Sequence, residues 1–168
     1  MRKNLKRGVE YRMILKIISG GQTGADQAAL DAAIISGTPY GGWVPEGRMT
    51  ERGPLSKKYE MEEMIGCGYS ERTEKNVLES DGTVIISHGK LTGGSAYTMT
   101  VAQKNKKPCL HIDLNVQGMS SSVECMLSWL RKHMIQILNV AGPRASKDEK
   151  IYRSVFNLME EVINMDRF

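Results

Sequence analysis

What most constrains this chain is a short apolar run that breaks at glycines and resumes as a helix. Residues 14–19 (ILKIIS) are β-branched and mostly apolar, the pattern of a strand buried on both faces. Gly20, Gly21 and Gly24 follow, and residues 25–36 then carry alanines with Leu30 and Ile34 at helical spacing. Gly37 stands where that helix should end. The order repeats further on. Residues 83–87 (TVIIS) read as a second buried strand and 91–95 (LTGGS) as a second glycine loop. A helix follows to about residue 106, with Pro108 beyond its end. A strand that turns directly into a helix lays that helix back on the sheet, and the right-handed crossover leads to a parallel neighbour.

The remaining segments extend the alternation. Residues 40–44 are a candidate strand stopped by Pro45, and Ser70 is placed to cap a helix reaching about residue 80. Residues 109–114 predict a strand, 123–133 a helix with Met126, Leu127 and Leu130 on its apolar side, and 135–140 a fifth strand. Ala141-Gly142-Pro143 is a turn, and Ser146 is read as the cap of a last helix running to about Met165. Residues 46–69 read as a loop, with Gly47, Gly53, Pro54, Gly66 and Gly68 scattered through them. A loop that long is either functional or hides structure. The expected fold is α/β: a three-layer αβα sandwich around a mostly parallel sheet of about five strands. No repeat or linker divides it, so residues 13–168 form a single expected domain behind a basic extension, 1–12.

The 168 residues, 40% hydrophobic and 25% charged, suit one globular core. The net charge of +4 raises the question of a polyanionic partner. Its location answers much of it. Arg2, Lys3, Lys6, Arg7 and Arg12 against Glu10 account for the whole excess, and the rest of the chain is neutral. The extension reads as a solvated leader ahead of a second start at Met13, or as a basic arm for nucleic acid or anionic lipid. Residues 13–18 are short, interrupted by Lys16 and without a cleavage pattern, so no signal peptide is read there. No uncharged run approaches the ~18 residues of a membrane span. Cys67, Cys109 and Cys125 are odd in number without a CxxC, which reads as reduced thiols in the cytoplasm. His88, His111 and His133 lack metal-ligand spacing, and no metal site is expected.

In an open parallel sheet, ligands bind beyond the carboxyl ends of the strands. Three glycine-bearing loops should fall there: residues 20–24, 91–95 and 139–144. The first two feed helices, whose free N–H groups and partial positive charge suit a phosphate. Gly20, Gly21, Gly24, Gly93 and Gly94 would admit an anion, while Thr23, Thr92 and Ser95 add hydroxyls. The alternative is that glycines only make tight turns, since neither loop has the spacing of a dinucleotide fingerprint or a P-loop. Asp26 either caps its helix or accepts a hydrogen bond from a ligand. Arg72 lies in a first helical turn, unfavourably for the helix dipole, which points to an anion or carboxylate partner, with Asn76 one turn on. A surface pair with Glu71 or Glu74 is the plainer role. Trp43 could stack on a flat heterocycle or pack in the core.

At these residues the chain resembles a known family. The segments SGGQTGADQAALDAA (19–33), GGWVPEGR (41–48), YSERTEKNV (69–77), SDGTVIISHGKLTGGSA (80–96) and LNVAGPRAS (138–146) look like the bacterial molybdenum carrier proteins. The resemblance spans Ile14 to the final helix and leaves out the basic extension. It implies a Rossmann-like domain whose ligand is molybdenum cofactor. A more distant similarity is to the cytokinin-activating phosphoribohydrolases, labelled lysine decarboxylase-like. Glu71-Arg72 aligns with their Glu-Arg, which implies a phosphate role for Arg72. Gly94-Ser95 aligns with their second glycine loop, and Thr98 then stands where their catalytic glutamate does. A threonine cannot replace a carboxylate as acid or base.

The expected function is therefore a binding or carrier protein for a phosphorylated heterocycle, with molybdenum cofactor as the ligand and no catalytic residue. The glycine loops would hold the phosphate, Arg72 would neutralise it, and Trp43, Gln22 and Asp26 would contact the ring system. The alternative is a nucleoside-monophosphate phosphoribohydrolase using Asp26 or Glu71. A nucleic-acid role through residues 1–12 is the third, set aside because the domain is neutral. A homodimer is expected by analogy with related Rossmann-like binding proteins.

Overall fold

The structure, a computed structural model, describes residues 12–167. The basic extension lies outside the described residues except for Arg12. In chain order the elements are β1 (Lys16–Ile18), α1 (Ala25–Ser36), β2 (Tyr40–Gly41), β3 (Trp43–Pro45), β4 (Met49–Thr50), β5 (Gly53–Pro54) and β6 (Glu62–Met64). Then come α2 (Tyr69–Glu79), β7 (Gly82–Ser87), α3 (Gly93–Lys104), β8 (Cys109–Asp113), α4 (Met119–His133), β9 (Ile137–Ala141) and α5 (Ile151–Met165).

The main sheet has five strands in the order β2-β1-β9-β7-β8, and every pairing is parallel. The last strand of the chain sits in its centre. Ile17 faces Leu138 on one side of β9, and Val84 faces Val140 on the other. If β9 is counted first, followed by β1, β2, β7 and β8, the spatial order becomes 3-2-1-4-5. That is the Rossmann order. The chain therefore carries a Rossmann-like sheet whose opening β-α unit has been moved to the end, a circular permutation visible in the topology alone.

Right-handed crossovers distribute the helices. Buried residues of α1, α4 and α5 share one core with the sheet, including Ala28, Ala29, Ala32, Met126, Leu130, Val155, Leu158 and Met159. The alanines let α1 approach α5 closely, which explains a helix whose buried face is built from small side chains. Val77 of α2 packs with Val101 and Ala102 of α3 in a separate cluster. Truncating a fully buried residue such as Leu158 to alanine would cost about 2–5 kcal/mol. Asp166, after α5, accepts the N–H groups of Met13 and Ile14 at 3.0 and 2.8 Å, tying the entry of β1 to the end of the chain.

Residues 46–69 contain structure that periodicity does not show. β3 pairs with β6 in parallel, and β4 pairs with β5 in a small antiparallel ribbon. Strands of two or three residues are too short to display a period of two. The excursion has its own apolar centre, where Leu55 and Tyr59 meet Val44 and Leu30. Arg48 binds it together, donating to the carbonyls of Ser56 and Tyr59 at 3.0 and 2.8 Å. Three helix starts also differ from expectation: α2 begins at Tyr69 after Gly68, so Ser70 lies within its first turn and does not cap it. α4 begins at Met119 rather than 123, and α5 begins at Ile151 rather than after Ser146. Ser146 cannot cap α5, because its hydroxyl is bound to Glu51.

Candidate functional site

The connection from β1 leads outward to β2, and that from β7 leads the opposite way to β8. Between these diverging units, at the carboxyl ends of the strands, a crevice is unavoidable. A cleft of about 490 Å³ lies there. Ser87 at the end of β7 and Ala141 and Gly142 at the end of β9 line it. The sheet pack is tight at this point. A Cβ on Gly142 would lie 2.4 Å from the carbonyl of Ile86.

The first glycine loop is closed by the protein itself. Ala25 at the start of α1 donates its N–H to the carbonyl of Pro143 at 3.1 Å. The hydroxyl of Thr23 is bound to Glu51 and accepts the N–H of Ala145 at 3.1 Å. Gly24 has φ +81°, and a Cβ there would come within 2.5 Å of the Pro143 carbonyl. Gly20 makes room for a side chain: its Cβ would fall 1.5 Å from Nη1 of Arg72. A Cβ on Gly21 would meet Leu55 at 2.8 Å. Gly20, Gly21, Thr23 and Gly24 thus stand behind the cleft wall, and only Gln22 and Asp26 of this segment line it.

The second glycine loop is open. Among the described residues, no protein acceptor takes the N–H groups of Gly93, Gly94 and Ser95 in the first turn of α3, the first bond there being Ala96 N–H to Thr92 at 3.3 Å. Thr92, Gly94, Ser95 and Thr98 line the cleft, and a Cβ on Gly94 would touch nothing within 4 Å. The ammonium of Lys147 reaches across this turn, 2.7 Å from where a Cβ on Gly93 would be. Lys90 lines the same end. Neither lysine has an ion-pair partner among the described residues. Thr98 donates its hydroxyl to the carbonyl of Gly94 at 2.8 Å, so it is committed to its own helix.

The inner end holds a buried pair. Nη1 of Arg72 lies 3.5 Å from Oδ2 of Asp26, with side-chain exposures of 11% and 7%. Burial raises the Asp26 carboxyl above its ordinary value, opposed by the Arg72 charge and the Gln22 N–H. Burial likewise lowers the Arg72 guanidinium, opposed by Asp26. Glu71, beside it in sequence, instead accepts the N–H of Gly68 at 3.1 Å and caps α2. Trp43 and Asn76 lie outside the cleft. Trp43 donates its indole N–H to Glu79 at 2.6 Å under Lys75. Asn76 is buried, accepting the N–H of Trp43 at 2.8 Å and donating to its carbonyl at 3.0 Å, which fixes the start of β3.

With this geometry in place the chain can be set beside known proteins. The circularly permutated YpsA SLOG family matches residues 17–163, the permuted sheet and all its loops. The chain belongs to that family. It is also similar to a solved structure described as "Putative molybdenum carrier protein" from Syntrophus aciditrophicus SB. The two are 56% identical, with a TM-score of 0.88, over 90% of this chain and 96% of that one. No curated protein matches it.

Several residues lining the cleft or standing behind its wall in this SLOG chain carried no signal in the sequence. Tyr69 presents its ring to both Arg72 and Arg144, at 5.7 and 5.9 Å from their guanidinium carbons. His88, after β7, faces Asp148 at 2.7 Å through Nδ1 and Ser154 at 3.2 Å through Nε2, joining the two loops that border the cleft. Glu51, from the long excursion, binds Thr23 and both the hydroxyl and N–H of Ser146, the latter at 3.1 Å. Burial acts to raise its carboxyl, but hydrogen bonds from Ser146 and Thr23 hold it below the ordinary value. A glutamate among scattered glycines has no local pattern that could mark it. Among the described residues no three His, Cys, Asp or Glu side chains are arranged to hold a metal ion, and no helix is long and apolar enough to cross a membrane.

Proposed function

We propose that this SLOG protein binds and carries one small phosphorylated heterocycle, with molybdenum cofactor the leading ligand. A single observation supports it most: the open first turn of α3 with the Lys147 ammonium over it and Lys90 lining the same cleft. Three N–H groups without a protein partner, the helix dipole and the Lys147 ammonium converge at this turn, an arrangement that suits an anion. The solved relative described as a molybdenum carrier supports the choice of ligand. The protein offers donors and cations rather than a ligand set for molybdenum. It would grip the organic part of such a cofactor by its phosphate, and the metal would travel on that organic part. Tyr69 and Arg144 supply a flat cationic wall for the ring. The same proposal takes the protein as a cytoplasmic homodimer, which sedimentation would check.

Calorimetric titration with molybdenum cofactor, adenosine monophosphate and inorganic phosphate tests this. Binding of a phosphorylated heterocycle that weakens with salt and with Lys147→Ala is the expected result. Folded protein that binds none of them would overturn it. A second function, N-glycosidic hydrolysis of a nucleoside monophosphate, is favoured by one feature: Asp26 is a buried cleft carboxyl with a raised affinity for its proton. Free base released from a nucleotide panel, and abolished in Asp26→Asn, would establish it. Turnover unchanged in that variant would remove Asp26 from the role.

A further inference from the structure

Residues 46–64 supply no wall to the cleft, whose lining passes from Asp26 directly to Tyr69. Yet this excursion presents a firmly held carboxylate. β4 and β5 pair through Thr50 and Gly53, which leaves Glu51 and Arg52 as a two-residue turn. Thr50 closes that turn, its hydroxyl donating to the carbonyl of Gly53 at 2.7 Å and accepting the N–H of Arg52 at 3.1 Å. The N–H of Glu51 itself donates to the side-chain carbonyl of Gln22 at 2.9 Å. The Glu51 side chain is only 12% exposed. Its Oε1 accepts the Thr23 hydroxyl and the N–H of Ser146, the latter at 3.1 Å. Its Oε2 accepts the Ser146 hydroxyl and lies 3.9 Å from Nε of Arg144.

The segment so held is the one that carries the cation over α3. Residues 144–148 form a tight turn, in which the N–H groups of Lys147 and Asp148 donate to the carbonyl of Arg144 at 3.0 and 3.2 Å. Ser146, just before Lys147, is held by Glu51 through backbone and hydroxyl. Asp148, just after it, is held by His88 at 2.7 Å. Lys147 is exposed and has no ion-pair partner among the described residues. A long side chain loses rotamer freedom when it closes on an anion, and a backbone already fixed in place lowers what that ordering costs. We infer that Glu51 is a positioning residue for anion binding: it lines no part of the cleft, and it fixes Ser146 so that the Lys147 ammonium stands over the first turn of α3. The β4–β5 hairpin is the brace that the fold supplies for this purpose. This rests on the phosphate-binding reading and names the residue that sets its affinity through Lys147.

A double-mutant cycle tests the inference, read by calorimetric titration with adenosine monophosphate. Glu51→Ala should weaken binding about fivefold in the wild-type chain but less than about twofold in Lys147→Ala, where the brace has no ammonium left to position. Glu51→Gln keeps one oxygen for Thr23 and the Ser146 N–H, and should recover most of the affinity. Ser146→Ala, at an exposed position, removes the hydroxyl bond alone. It should weaken binding by a smaller factor, again only while Lys147 is present, and it decides the matter even if Glu51→Ala folds poorly. A brace that served stability alone would leave the affinity of the folded variants unchanged. That result, or an equal loss of affinity with and without Lys147, would overturn the inference while leaving phosphate binding intact. If the wild-type chain does not bind the nucleotide at all, the phosphate-binding reading fails and the inference falls with it.

Discussion

Residues 20–24 and 91–95 look alike as sequence, each rich in glycine and each feeding a helix. In the structure they do opposite things. The first is a joint: its glycines admit Arg72, Leu55 and the 143–145 backbone, and its helix N-terminus is taken by Pro143. The second is an opening: a Cβ on Gly94 would meet nothing, and its helix N-terminus faces the cleft. Glycine thus marks close approach without saying what approaches. In one loop it is the protein's own chain, and in the other there is room for a ligand.

That contrast can be broken by experiment. The largest effect should come from Arg72→Met, which leaves the Asp26 carboxylate buried without its cation and should cost about 3–5 kcal/mol in urea unfolding. Gly24→Ala should follow at about 3 kcal/mol, from a strained positive φ plus overlap with the Pro143 carbonyl. Lys147→Ala should leave the melting temperature unchanged. It should weaken binding of a phosphorylated probe about tenfold, ~1.4 kcal/mol by titration calorimetry.

The two carboxylates around the first loop should respond to acid with opposite signs. Asp26 binds its proton more tightly in the fold than at its ordinary 3.8, so its contribution falls as pH rises from about that value through the raised one. Glu51 is held below its ordinary 4.5, so its contribution is full above that value and is lost as pH falls through the folded one. Unfolding curves across this range should therefore lose one slope in Asp26→Asn and the opposite slope in Glu51→Gln. The smallest effect should be that of Gly94→Ala. Its stability should hold or rise by up to about 1 kcal/mol, because alanine is the better helix former and space is free. A loss as large as that of Gly24→Ala would show that the second loop is a joint too.

Much of the fold was legible. Long helices with apolar stripes and a six-residue strand such as β7, buried throughout, impose their period on the sequence. The strands of residues 43–64 do not, being two or three residues each. Within the site, Arg72 could be suspected from a cation in a first helical turn, which is a local anomaly. The partner in the structure is Asp26, which sequence offered only as a helix cap or a ligand contact. Lys147, Tyr69 and Glu51 broke no local rule and so gave no sign.

Residue patterning was enough to set the alternation of strand, glycine turn and helix, and with it a parallel sheet whose carboxyl edge is the place for a ligand. It also confined the excess charge to the first twelve residues. Tertiary structure alone decided which glycine loop opens onto the cleft. That choice depends on β9 entering the centre of the sheet and carrying its loop onto α1, where Ser146 meets Glu51 across 95 residues of chain. Local residue patterns report what the nearest few side chains prefer. They carry no information about a contact made by a strand that arrives last.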